Sequence, residues 1–111
     1  MANEKQLTLL KQGVNAWNTW REKNPEEKID LTGAPLTDTD LTGAYLYAAD
    51  LSGANLARAN LYQTTFFGAK LTGAILTNAH FQDATLARAE LTRADLTGAD
   101  LGHSRPHQCR P

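Results

Sequence analysis

The chain has 111 residues, a formal net charge of −1 at pH 7 and one cysteine, Cys109. That length suits a single domain. The charge excludes a strong field drawing the chain to nucleic acid or an acidic membrane, and one cysteine excludes an internal disulfide framework.

Residues 1–28 read as a helix. Leu7, Leu10, Val14, Trp17 and Trp20 recur at intervals of three and four, which places them on one stripe of a 3.6-residue period. Asn3 has the chemistry of an N-cap, with Gln6 three residues on. Asn24-Pro25 ends the helix, because proline disfavours helical geometry in the residue before it. Gly13 inside the helix costs on the order of 1 kcal/mol against alanine, so the stripe needs tertiary support. The expected support is the first coil of the repeat region that begins at Ile29, with the helix as its cap. The competing reading makes Trp17 and Trp20 a partner-binding face. The N-terminus shows no secretory pattern, and no apolar run nears the roughly 18 residues of a membrane span, so a cytoplasmic location is expected and no membrane contact.

Residues 29–102 carry a strict five-residue register. Leucine or phenylalanine recurs at Leu31, Leu36, Leu41, Leu46, Leu51, Leu56, Leu61, Phe66, Leu71, Leu76, Phe81, Leu86, Leu91, Leu96 and Leu101. Two residues before each centre stands alanine, except at Ile29, Thr39 and Thr64. In extended chain, residues i and i−2 point the same way, so each centre and its alanine go inward together. Five is odd, and a flat strand would throw alternate centres to opposite faces. The chain must therefore turn once per repeat. Glycine two after the centre, as at Gly33 and Gly53, fits turns that require positive φ.

Stretches such as Ala54-Asn-Leu-Ala-Arg, Ala59-Asn-Leu-Tyr-Gln and Ala94-Asp-Leu-Thr-Gly resemble the A(D/N)LXX pattern of the pentapeptide-repeat family. Residues 9–21 also resemble the leader that precedes the repeats in members from photosynthetic bacteria. The resemblance implies an all-β solenoid, a right-handed quadrilateral β-helix in which four pentapeptides form one square coil. Fifteen repeats then make just under four coils, with the N-terminal helix as a cap. The spacing argument by itself gives one turn per five residues, not four turns per coil.

With four walls taken from the family, residues twenty apart stack about 4.8 Å from one another. Phe66 and Phe81 fall on inward columns and read as core. Asp38 comes beside Arg58 and Gln63 beside Asp83, while Thr32, Ser52, Thr72 and Thr92 line up as a hydroxyl ladder. Tyr45, Tyr47 and Phe67 fall on the outside of the fourth wall and Tyr62 on the adjoining third. These four residues are the candidate interaction patch, since exposed apolar clusters mark interaction sites and tyrosine is favoured there. The alternative is that the rings lie flat on the wall or under the N-terminal segment.

Residues 103–111 leave the register and are read as a flexible tail with no apolar stripe, leaving an open C-terminal coil. His103, His107 and Cys109 lack the spacing of a four-ligand zinc site, so no metal or cofactor is expected. His80 sits outward as a surface histidine. No phosphate-cradling loop, nucleophile elbow or carboxylate cleft appears, which argues against an enzyme.

The expected function is a non-catalytic scaffold or protein–protein interaction module. It would work through one wall on an unidentified protein partner, or through the open C-terminal coil as a homodimer. The alternative comes from the resemblance: some family members mimic DNA and occupy the DNA site of a type II topoisomerase. The repeats hold eight acids (Asp30, Asp38, Asp40, Asp50, Asp83, Glu90, Asp95, Asp100) against Arg58, Lys70, Arg88 and Arg93, an excess of four that is modest for a mimic. No direct contact with nucleic acid is expected. A third possibility is a fragment or filler with no dedicated partner.

Overall fold

A computed structural model of the protein describes residues 1–102. The expectations placed on residues 103–111, a flexible tail and a weak metal-ligand set, lie outside the described residues.

The repeats close into coils of four pentapeptides. Parallel bridges join residues twenty apart without a break, from Asp30↔Asp50 and Pro35↔Asn55 to His80↔Asp100. The bridging positions define four walls. The first stacks Asp30, Asp50, Lys70 and Glu90, and the second Pro35, Asn55, Ile75 and Asp95. The third stacks Asp40, Asn60, His80 and Asp100, and the fourth Tyr45, Thr65 and Thr85.

Each corner is a tight turn. The N–H of the small residue opening the next repeat donates to the centre before it, as Ala54 does to Leu51 O at 3.0 Å. The residue two after the centre takes the left-handed conformation whatever its side chain: Gly53 has φ 69°, and Arg58 has φ 59°. Glycine is therefore favoured at this position, not required.

Inward, the centres from Leu31 to Phe81 have no solvent exposure, and Phe66 packs on Phe81 with centroids 5.8 Å apart. Thr64 shows how a polar residue enters an alanine column. It is fully buried, and its hydroxyl donates to Leu41 O at 2.7 Å. In the last coil Leu91, Leu96 and Leu101 are only half-buried.

The N-terminal segment differs from expectation in two ways. It forms two helices, α1 (Glu4–Gln12) and α2 (Val14–Lys23), because Gly13 adopts φ 133°, ψ 155° and breaks the ladder. Asn3 caps α1 as expected, accepting from Gln6 N–H at 3.0 Å. Gln6 does not return that bond to Asn3. Its side chain reaches the repeats instead, donating to Lys28 O and accepting from Asp30 N–H, each at 2.8 Å. The helix α2 ends at Lys23, just before Asn24-Pro25.

Candidate functional site

Within the solenoid each bridging residue uses both backbone groups on the coil before it. Asp50 N–H donates to Ile29 O and Asp50 O accepts from Leu31 N–H. First-coil residues have no preceding coil, so these groups would be orphaned. The helical segment supplies substitutes at the first and fourth walls. Asp30 N–H meets Gln6 Oε1, and Asp30 O accepts from Asn3 N–H at 2.8 Å. Tyr45 N–H donates to Asn18 Oδ1 at 2.8 Å, and Tyr45 O accepts from Trp17 Nε1 at 2.9 Å. Pro35, at the second wall, has no N–H to satisfy.

Arg21 completes this junction. It is 1% exposed, and its guanidinium donates to Glu27 O at 3.2 Å and Tyr47 O at 3.1 Å. It also lies 3.9 Å from the centroid of the Tyr47 ring. Burial draws the Arg21 pKa below its ordinary value, and Tyr47 opposes that shift. The Tyr47 hydroxyl donates to Pro25 O at 3.4 Å.

The structure therefore divides the four patch residues. Tyr45 and Tyr47, in the first coil, are half-buried against α2 and the connection after it. Tyr62 and Phe67, in the second coil, are 39% and 47% exposed. They stand at the two corners that bound the fourth wall, with Thr65 on the wall between them. Ile75, on the second wall, is a further exposed apolar residue of the repeats, because it replaces the usual polar bridging residue.

Charge is unevenly shared among the walls. The first carries Asp30, Asp50, Lys70, Glu90 and Arg93, the second Asp38, Arg58 and Asp95, and the third Asp40, Asp83 and Asp100. On the fourth, the bridging and following corner residues Tyr45, Tyr47, Thr65, Phe67, Thr85 and Ala87 are all uncharged; Arg88 is the one charge on the described corners that follow it, and Asp83 stands at the corner before Thr85.

The polar surface is organised locally. Asp30, Asp40 and Asp95 each accept from the backbone and the hydroxyl of the threonine two residues on, and those bonds hold their carboxyls below the ordinary range. Thr32, expected to ladder along the rod, is thus engaged within its own turn. Arg58 meets Asp38 at 2.9 Å as the stacking predicts, and that bond lowers the Asp38 pKa. Gln63 and Asp83 make no side-chain bond to each other. His80 is exposed in a shallow depression with Asn60, Tyr62 and Gln82. Among the described residues no group of three or more His, Cys, Asp or Glu side chains could hold a metal, and no helix is long and apolar enough to cross a membrane.

Comparison with known proteins places this arrangement. A family model describing eight copies of a pentapeptide repeat matches residues 29–66 and again 65–102. No curated protein matches the chain. Among solved structures, a pentapeptide repeat protein of the Arabidopsis thaliana thylakoid lumen is 31% identical with a TM-score of 0.68, covering 72% of this chain and 56% of its own. One from the cyanobacterium Cyanothece 51142 is 30% identical with a TM-score of 0.64, covering 73% of this chain and 52% of its own. HetL of Nostoc sp. strain PCC 7120, involved in heterocyst differentiation regulation, is 36% identical with a TM-score of 0.51, covering 76% of this chain and 41% of its own. The chain thus matches only about half the length of these proteins.

Proposed function

From the premise that the chain belongs to the pentapeptide-repeat family, whose solved members here share a right-handed quadrilateral β-helix, we propose that it is a non-catalytic protein–protein interaction module capped by α1 and α2. The observation that carries this reading is the exposure of Tyr62 and Phe67 on either side of an almost uncharged wall. Large apolar side chains rimmed by polar residues are the usual mark of a contact surface. The described surface is convex, and its depressions are shallow, which suits contact better than chemistry. The involvement of HetL in regulation is in keeping with such a role.

The topoisomerase reading gains no support from the charge distribution. The acids are spread over several walls, and Arg58 neutralises Asp38 directly.

The test uses a photo-crosslinking side chain at Phe67 in the full chain, in native lysate, with Ile75 on the second wall as the control position. A discrete adduct is expected from Phe67 alone, and Tyr62→Ser should abolish it. Tyr45 and Tyr47 are left intact, since altering them disturbs the junction with α2. Equal labelling from both positions, or an adduct indifferent to Tyr62→Ser, removes the fourth wall as the contact surface.

A further inference from the structure

The fourth wall is complementary to a copy of itself. Two rows of side chains run across it. In the second coil Tyr62 stands at one corner and Phe67 at the other, with Thr65 between them. In the third coil Asp83 stands at the Tyr62 corner and Arg88 at the Phe67 corner, with Thr85 between them. Both charged residues are exposed, and neither side chain has a hydrogen bond or ion pair among the described residues. Thr65, Thr85 and Ala87 are small, which lets a second flat surface approach.

We propose that the partner of this wall is a second copy of the chain, set side by side with the first and with the two solenoids parallel. The proposal rests on reading the fourth wall as a contact surface, and it names what the wall contacts. A two-fold axis between the facing walls, parallel to the solenoids, keeps each coil level with its twin and exchanges the corners. Tyr62 then meets Phe67 of the second copy, and Asp83 meets its Arg88. Each contact is made twice, as an isologous interface requires. The aromatic pairs supply apolar contact, and the opposite charges fix the register. An antiparallel pair would keep each corner against its own kind and would match no opposite charges. The molecule measures 31 × 22 × 21 Å, so a whole lateral face offers about 650 Å² from each copy, and a pair about 1,300 Å² at most. That is the low end of specific interfaces, so the pair should form reversibly, with a dissociation constant in the micromolar range or weaker.

Sedimentation of the purified full chain over a range of concentrations should show a reversible monomer–dimer equilibrium. Asp83→Arg sets like charges face to face, as does Arg88→Asp, and each should raise the dimer dissociation constant about tenfold or more. Both substitutions suit the backbone, since Arg58 already holds this corner conformation at φ 59° and Asp38 at φ 60°. An equimolar mixture of the two single variants should regain the dimer, because every facing pair is then opposite in sign. The double variant Asp83→Arg/Arg88→Asp should regain it for the same reason, and damaged folds could not produce either rescue. A dimer unmoved by both single variants, or a mixture that stays monomeric, overturns the proposal. So does an unaltered chain that is still monomeric at about 1 mM. In that case a Phe67 adduct with a different protein in lysate keeps the wall as a contact surface, and no adduct at all removes that reading too.

Discussion

Thr64 occupies a column otherwise built of alanine, and its burial is tolerated only because Leu41 O accepts its hydroxyl. Replacing it with valine keeps the shape and loses the bond. Thr64→Val should therefore cost about 0.5–1.5 kcal/mol by denaturant unfolding, the net worth of one hydrogen bond, since Leu41 O keeps its bond from Ala44 N–H. The alanines set the opposite limit. Ala54 has no exposure, and Ala54→Leu should cost roughly 1–3 kcal/mol through overpacking. The surface carboxylates give a different signature. Asp30, Asp40 and Asp95 are held low by threonine bonds and Asp38 by Arg58, so their folded pKa values lie below the free value of about 3.9. A depressed carboxylate contributes stability that is fully present above the unfolded pKa and is lost as pH falls through the folded one. Carboxyl NMR titration should place the Asp40 midpoint below that of a free peptide. Thr42→Val should move it back up by removing the hydroxyl bond; an unmoved midpoint would mean that the backbone N–H alone holds it.

At the scale of elements, the N-terminal segment is where local and tertiary signals part. Its apolar stripe is real: Leu10 and Trp17 are buried, and Leu7, Val14 and Trp20 half-buried. Hydrophobic periodicity does not register Gln6, Asn18 or Arg21, which hold the segment to the first coil through hydrogen bonds. No spacing rule identifies a glutamine that acts as a strand. Gly13 was legible as an awkward residue in a helix, but its cost was not incurred, because the helix stops there. Its φ of 133° with ψ 155° is a region that side chains with a Cβ avoid, and nothing lies within 4 Å of an added Cβ. Gly13→Ala should thus lower stability by about 1–3 kcal/mol through backbone strain alone, read from the shift in denaturation midpoint. A neutral result would show that the two helices can merge.

At the scale of the whole molecule, closure among the described residues is asymmetric. The first coil is covered and bonded by α1 and α2, whereas the last described coil has half-buried centres and open ladder groups at Leu91 and Leu96. Backbone amides in the middle coils exchange only when the solenoid opens broadly, while end coils can open alone. Hydrogen exchange should therefore show Leu51, Leu56 and Leu71 amides protected most strongly, with Leu91 and Leu96 exchanging far faster. Uniform protection through Leu96 would mean that the C-terminal edge is covered in solution.

By itself the sequence determined the turn in every pentapeptide, the inward columns and the outward placement of Tyr62, Phe67 and His80, because an odd repeat of leucines can stay buried only if the chain bends at each one. It also made the Asp38–Arg58 pair legible once the coil length was taken from the family resemblance. Four walls per coil, the break at Gly13 and the engagement of Tyr45 and Tyr47 by the helices were decided in three dimensions. A five-residue period constrains each corner and is silent on how many corners close a ring. That number, and the choice of Gln6 and Asn18 as substitutes for a missing coil, depend on which backbone groups remain unpaired after the chain has wound, and that is a property of the assembled ladder.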